Sequence, residues 1–133
     1  KVPLVARYII EKKLGAGNFS VVYKAVHKET NDHVAIKEIA KFKISKERRD
    51  IIQHECAILE RCHHPNIIRF VEMSETKTHI YIVTELMAEG DLYEYVRRQC
   101  FLDEYEASIV MKQIIQAVLY LDALGLIHRD LKP

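Results

Sequence analysis

Apolar positions in this chain follow two different periods. Residues 8–15 (Tyr-Ile-Ile-Glu-Lys-Lys-Leu-Gly), 19–27 and 33–39 are short runs rich in β-branched and aromatic side chains, which predicts three β-strands. Glycines separate the first two, and Thr30-Asn31-Asp32 marks a turn before the third. A charged helix is predicted from about Ser45 to Arg61, with Ser45 as its N-cap, Glu47 in the first turn and Pro65 as its stop. Two more strands are expected near 67–72 and 79–85, followed by a short helix at about 91–99. A longer helix is expected from about Glu104 to Leu124, capped by Asp103 and Gly125.

Strands come first and helices later, so the pattern is α+β with an antiparallel sheet rather than alternating βαβ units. The polar joint Ala88-Glu89-Gly90 divides the chain. Residues 1–87 are expected to form a small sheet-based lobe, and residues 88–133 the start of a helical one. In the long helix Ile109, Val110, Ile114, Ile115, Val118, Leu119 and Leu121 cover more than one face, which suits packing on two sides. With one side uncovered such a helix exposes an apolar patch, and self-association is expected.

Composition narrows the reading. A chain of 133 residues, 49% hydrophobic and 29% charged, is large enough to bury a core and has the balance of a soluble globular domain. A net charge of +1 gives no reason to expect nucleic acid or an anionic membrane as partner. No apolar run approaches the ~18 residues of a membrane span, and Lys1-Val2-Pro3-Leu4 lacks the apolar core of a signal peptide. Cys56, Cys62 and Cys100 are too few and too irregular for a disulfide framework, which suggests a reducing, cytoplasmic or nuclear compartment. Cys56 and Cys62 with His63 and His64 do not have a standard zinc spacing, so core cysteines and a helix-ending His-His-Pro are expected instead.

Candidate chemistry begins with Leu14-Gly15-Ala16-Gly17-Asn18-Phe19-Ser20-Val21-Val22, between two strands. A Gly-rich turn lets backbone N–H groups approach phosphate, although glycines also serve ordinary hairpins. A strand rather than a helix follows, which argues against a dinucleotide-binding fold. In Val34-Ala35-Ile36-Lys37 the strand period puts Ala35, Lys37 and Ile39 on one face and Val34, Ile36 and Glu38 on the other. Such a lysine either snorkels from an edge strand or sits in a cleft to meet phosphates, with Ala35 leaving room for a flat base. On the following helix Ile51, Ile52, Ile58 and Leu59 surround Glu55. A carboxylate in an apolar stripe is costly unless it reaches water at the margin or finds a cation, and an ion pair with Lys37 is expected. The basic run Lys41, Lys43, Lys46, Arg48 and Arg49 reads as a solvated face. Finally, His128-Arg129-Asp130-Leu131-Lys132-Pro133 sets an aspartate two residues before a lysine. The first can accept a proton from an attacking hydroxyl, the second can hold phosphoryl charge.

Taken in order, these segments resemble the eukaryotic-type protein kinases over about Tyr8 to Pro133. The glycine segment resembles their G-x-G-x-x-G-x-V loop, with Ser20 in place of the third glycine and Val22 as the valine. Val34-Ala35-Ile36-Lys37 matches V-A-I-K, Glu55 through Ile67 is similar to the helix and loop that follow it, Ile80 through Leu92 to the last small-lobe strand and hinge, and the terminal hexapeptide to the catalytic loop. The resemblance implies a protein-kinase-like fold: a small lobe of five-stranded antiparallel sheet plus one helix, then the first helices of an incomplete helical large lobe. It implies a serine/threonine protein kinase that transfers the γ-phosphoryl of ATP to a protein hydroxyl. Lys132 after Asp130-Leu131 points to that class, and Gly-Asn-Phe-Ser to the calcium/calmodulin-dependent group.

By the same resemblance Leu14, Gly15, Gly17, Val22 and Ala35 line the nucleotide pocket, and Lys37, positioned by Glu55, meets the phosphates. Thr84 is the gatekeeper, the backbones of Glu85 and Met87 bond the adenine edge, and Asp91 reaches the ribose. Asp130 orients the substrate hydroxyl, Lys132 contacts the γ-phosphate, and Arg129 pairs with a phosphorylated activation loop. Tyr120-Leu121-Asp122, where the family often has Tyr-Leu-His, is expected to alter surface contacts only. The family's Mg2+-binding Asn falls five residues after Asp130, at position 135, past Pro133. The chain is therefore expected to be an N-terminal part of the catalytic domain that binds nucleotide weakly and transfers no phosphate alone. Its partners are ATP, a protein substrate and a regulatory protein. The rival is a non-catalytic, truncated or pseudokinase-like interaction module, against which the retention of Lys37, Glu55 and Asp130 argues.

Overall fold

The alternating Val, Ile and Tyr runs pair into one five-stranded antiparallel sheet in a computed structural model that describes residues 3–87 and 90–126. The strands are β1 (Tyr8–Ala16), β2 (Ser20–His27), β3 (His33–Ala40), β4 (Phe70–Glu75) and β5 (His79–Glu85), in the order β1-β2-β3-β5-β4. The helices are α1 (Leu4–Arg7), α2 (Lys46–Arg61), α3 (Leu92–Gln99) and α4 (Glu104–Ala123), and a 3-10 turn spans Lys41–Lys43. The strand β4 starts at Phe70 rather than near 67. Ile67 N donates to the His64 carbonyl at 3.1 Å and Asn66 N to His64 Nδ1 at 3.0 Å, so residues 64–67 are a turn in spite of their apolar pair. The helix α1 and the 3-10 turn are too short to carry a period and were not expected.

The period of two on β3 separates two cores. Val34 and Ile36 face a cluster with Leu4, Tyr8, Ala25 and Val83, while Ile39 faces the other way, onto Ile52 and Cys56 of α2 and Ile80 of β5. The first cluster is roofed by the N-terminal strap. Leu4 is buried in it, and Arg7 Nη1 and the Tyr8 hydroxyl (2.8 Å) both donate to Glu72 Oε2. Since β1 and β4 are the two sheet edges, this carboxylate ties one edge to the other.

Burial, and then the bond to Glu72, push the Tyr8 phenol from an ordinary 10.0 up to about 12. The folded state holds this proton more tightly than the unfolded chain. Stability is therefore complete below pH 10 and falls between pH 10 and about 12. Chemical denaturation across that range is expected to show a steeper alkaline loss for the native chain than for Tyr8→Phe; equal slopes would remove Tyr8 as the cause.

By compactness the described residues divide into two units. Those up to Arg61 join Arg69–Leu86, and Cys62–Ile68 joins the described residues from Met87 onward. In the second unit the α4 hydroxyl of Tyr120 accepts from His63 N at 2.9 Å, and its ring lies 5.0 Å from that of His64. Tyr120 thus holds the 62–68 loop onto α4. Asp91 caps α3, which ends at Cys100 with φ 70°, and Asp103 and Glu106 form a reciprocal capping box on α4. Beyond α4 the chain turns through Gly125 at φ 74°, with Leu126 N donating back to Leu121 O at 2.8 Å, a Schellman-type stop. Ile109, Met111, Ile115, Val118 and Leu119 are exposed on α4, the apolar surface expected of a helix built for two-sided packing. No described helix is long and apolar enough to cross a membrane.

Candidate functional site

Strand register assembles the site. Gly15 on β1, Val22 on β2, Lys37 on β3, Ile82 on β5 and Met73 on β4 stand side by side in one row across the whole sheet. The neighbouring row contains Lys24, Ala35, Thr84 and Phe70. Directly opposed residues have Cβ atoms ~5 Å apart on the same face, so Val22, Ala35, Lys37 and Thr84 form one patch. At its Ile39–Ile80 end this face is roofed by α2; at the Lys37 end it is open, and Lys37 is exposed.

Leu14 falls at a register shift between Lys13 and Gly15 and is exposed. Neither loop glycine is demanded by the fold. Both lack a positive φ, a Cβ on Gly15 would meet nothing within 4 Å, and one on Gly17 would only touch Ser20 Oγ at 3.5 Å. What their missing side chains leave is open backbone beside Val22, which is what a phosphate needs. Gly17 N donates to Ser20 O at 2.7 Å and closes the turn.

The expected Lys37–Glu55 ion pair is not formed among the described residues. The buried line of α2 runs through Ile52 and Cys56, one position round from Glu55, which lies at the margin of the stripe with the exposed Ile51. Both charges are exposed, so neither has a desolvation cost that would force pairing. They nevertheless act on a common neighbour. The Cys56 thiol is pushed up by burial first and by the Glu55 carboxylate second, while Lys37 works to lower it. Both charges therefore lie within electrostatic reach of the Cys56 thiol.

Thr84 is half-buried, with Oγ1 donating to Glu85 O at 3.3 Å. Glu85 is pinned to Arg69: its N–H donates to Arg69 O at 2.9 Å and its Oε1 accepts from Arg69 N at 2.7 Å. Its backbone can thus offer a base only the carbonyl, not the N–H. Met87 and Asp91 belong to the helical unit. Met87 is exposed and its carbonyl accepts from Gly90 N at 3.3 Å, while Asp91 Oδ1 accepts from Glu94 N at 2.8 Å. Asp130 and Lys132 lie outside the described residues, as does Arg129. Among the described residues no group of three His, Cys, Asp or Glu side chains is placed to hold a metal ion. Sequence reasoning missed Ile82, a site-row member that period alone cannot separate from core, and Phe19, whose packing depends on α2.

The family model for the protein kinase domain matches residues 8–133. The chain is 40% identical to ribosomal protein S6 kinase alpha-1 of Rattus norvegicus, over 95% of this chain and 16% of that protein. It is 38% identical to serine/threonine-protein kinase ATG1c of Arabidopsis thaliana (98% and 18%) and 37% identical to myosin light chain kinase A of Dictyostelium discoideum (95% and 43%). It therefore spans less than half the length of each of these relatives, and their names do not single out a calcium/calmodulin-dependent subgroup. From Tyr8 through its last residue the chain belongs to the protein kinase domain family.

Proposed function

We propose that the protein carrying this chain is an ATP-dependent serine/threonine protein kinase, and that the chain supplies its nucleotide-binding sheet. The observation that carries this is the row Gly15–Val22–Lys37, which sets an uncovered backbone turn across the sheet from an exposed cation that has no ion pair among the described residues. Strands ~4.8 Å apart put Gly15 about 10 Å from Lys37 across the sheet, a span suited to a polyphosphate. Ala35 and Thr84, small and opposed in the next row, leave a slot for a flat base against the Glu85 carbonyl. A relative named as a serine/threonine-protein kinase supports the hydroxyl class.

In this reading Gly15 and Gly17, lacking side chains, let the phosphates approach the loop backbone, where the Gly17 N–H is already held by Ser20 O, and Lys37 draws charge off them as it develops. Glu55 steers Lys37 when α2 brings the two into contact. Asp130 accepts the proton of the substrate hydroxyl and Lys132 steadies the γ-phosphoryl, roles that rest on the family resemblance alone. Mg2+ would screen the phosphates, but the described residues offer no ligand cluster for it and no step here runs through it. The free cysteines suit a cytoplasmic or nuclear setting.

The test is to supply the whole protein with γ-labelled ATP, Mg2+ and casein and to analyse the labelled amino acids. Phosphoserine or phosphothreonine is expected. ATP binding without transfer would put the non-catalytic regulatory module in its place, and no ATP binding would remove both.

A further inference from the structure

Folding does not account for the surface of the turn that joins β3 to α2. Phe42, the middle residue of the 3-10 turn Lys41–Lys43, is 80% exposed, the barest large apolar side chain among the described residues. Residues 41–50 carry five cations, Lys41, Lys43, Lys46, Arg48 and Arg49, against two acids, Glu47 and Asp50. Lys46, Arg48 and Arg49 open α2, where the helix dipole disfavours positive charge. Two of the five are engaged. The Arg48 guanidinium stands 5.1 Å from the centre of the Phe19 ring, which packs half-buried on the α2-side core. Lys41 Nζ donates to Thr76 O at 2.6 Å and pairs with Glu75 at 3.1 Å, while Lys41 N donates to Thr78 O at 2.8 Å. Those bonds draw the β4–β5 hairpin, with exposed Lys77 at its tip, up to the turn. Lys43 and Lys46 are exposed with no ion pair among the described residues, and Lys43 Nζ lies 5.7 Å from the centre of the Phe42 ring.

We propose that this turn is a membrane-contact site: Phe42 enters the headgroup layer of an anionic phospholipid bilayer, and Lys43, Lys46 and Lys77 meet its negative charge. A docked peptide would need a groove or an open strand edge. Here β3 is paired on both sides and the ring stands out from the turn, a shape that suits a flat surface. A cluster of basic residues beside an exposed ring has the charge and the apolar anchor that an anionic leaflet binds. The net charge of +1 conceals it, because the excess is gathered at one turn. One ring and a few cations make a reversible contact that orients the protein rather than anchoring it.

The test is sedimentation of the whole protein with phosphatidylcholine vesicles, with and without phosphatidylserine. Binding is expected only to the anionic vesicles and should weaken as salt is raised. Phe42→Ala should lower the partition about tenfold, as for half-burying a phenyl ring. Lys43→Ala with Lys46→Ala should lower it about 25-fold, at about fivefold for each cation. All three side chains are exposed, so circular dichroism should be unchanged in both variants. Phe42→Trp should add an emission component that shifts to the blue on anionic vesicles, the sign of a ring leaving water. A partition unchanged by both variants, or no vesicle binding by the unaltered protein, overturns the proposal. Loss in the lysine variant alone, with no shift in Phe42→Trp, also overturns it and leaves a patch suited to an acidic protein.

Discussion

Replacing Ile80 by alanine should lower the unfolding free energy by about 2–5 kcal/mol, a large part of the stability of a small domain. Ile80 is fully buried on β5, opposite Ile39, and both lie under Ile52 and Cys56 of α2. The deletion removes methylene contacts and leaves a cavity that a paired central strand cannot collapse to fill. Because Ile80 is where the sheet meets α2, the loss falls on the seat of the helix as well as on the sheet. Ile9→Ala is the control: Ile9 is 53% exposed on β1, and its loss should stay within about 0.5 kcal/mol. Urea unfolding followed by circular dichroism decides the matter, with the midpoint falling for Ile80→Ala and the slope unchanged. Equal midpoints for the two variants would mean that α2 does not seat on this core.

The parts legible in the sequence were those where a period acts over several residues. Alternation on β3 placed Val34 and Ile36 against Ile39 correctly, and with them the open face that holds Ala35 and Lys37. The five strands and three longer helices followed from the same signals, and Asp103 caps α4 as its side-chain chemistry requires, whereas the cap that Asp91 places on α3 was not expected. Where a single contact outweighs the pattern, sequence reasoning fell short. Residues 67–69 look like strand but yield to the His64 turn and to the two bonds between Arg69 and Glu85. Glu55 sits one position off the centre of its stripe because the small, buried Cys56 takes the place against the sheet. An apolar count around Glu55 cannot detect that rotation. The contacts of Tyr120, Phe19 and Arg7 join residues distant in sequence, and no local pattern marks them.

Lys37→Met should leave the fold intact and cost the protein about 10²–10³-fold in phosphoryl transfer, or roughly 3–4 kcal/mol of transition-state stabilisation. The stability half follows from exposure. Lys37 is solvent-exposed with no ion pair among the described residues, and methionine keeps a similar unbranched stem, so unfolding should shift by no more than about 0.5 kcal/mol. The activity half follows from place: Lys37 is the one cation of the row Gly15–Val22–Lys37–Ile82–Met73. Glu55→Gln should cost less, and in Lys37→Met it should cost little more, because its role passes through the lysine. Cys56 supplies a readout that does not depend on turnover. Lys37 lowers the thiol and Glu55 raises it, so the Cys56 titration, followed by its Cβ carbon shift, should move upward in Lys37→Met and downward in Glu55→Gln. A snorkelling surface lysine would leave activity within about threefold of the native protein. A lysine that meets phosphate cannot be removed so cheaply, and the kinetic loss at unchanged stability separates the two.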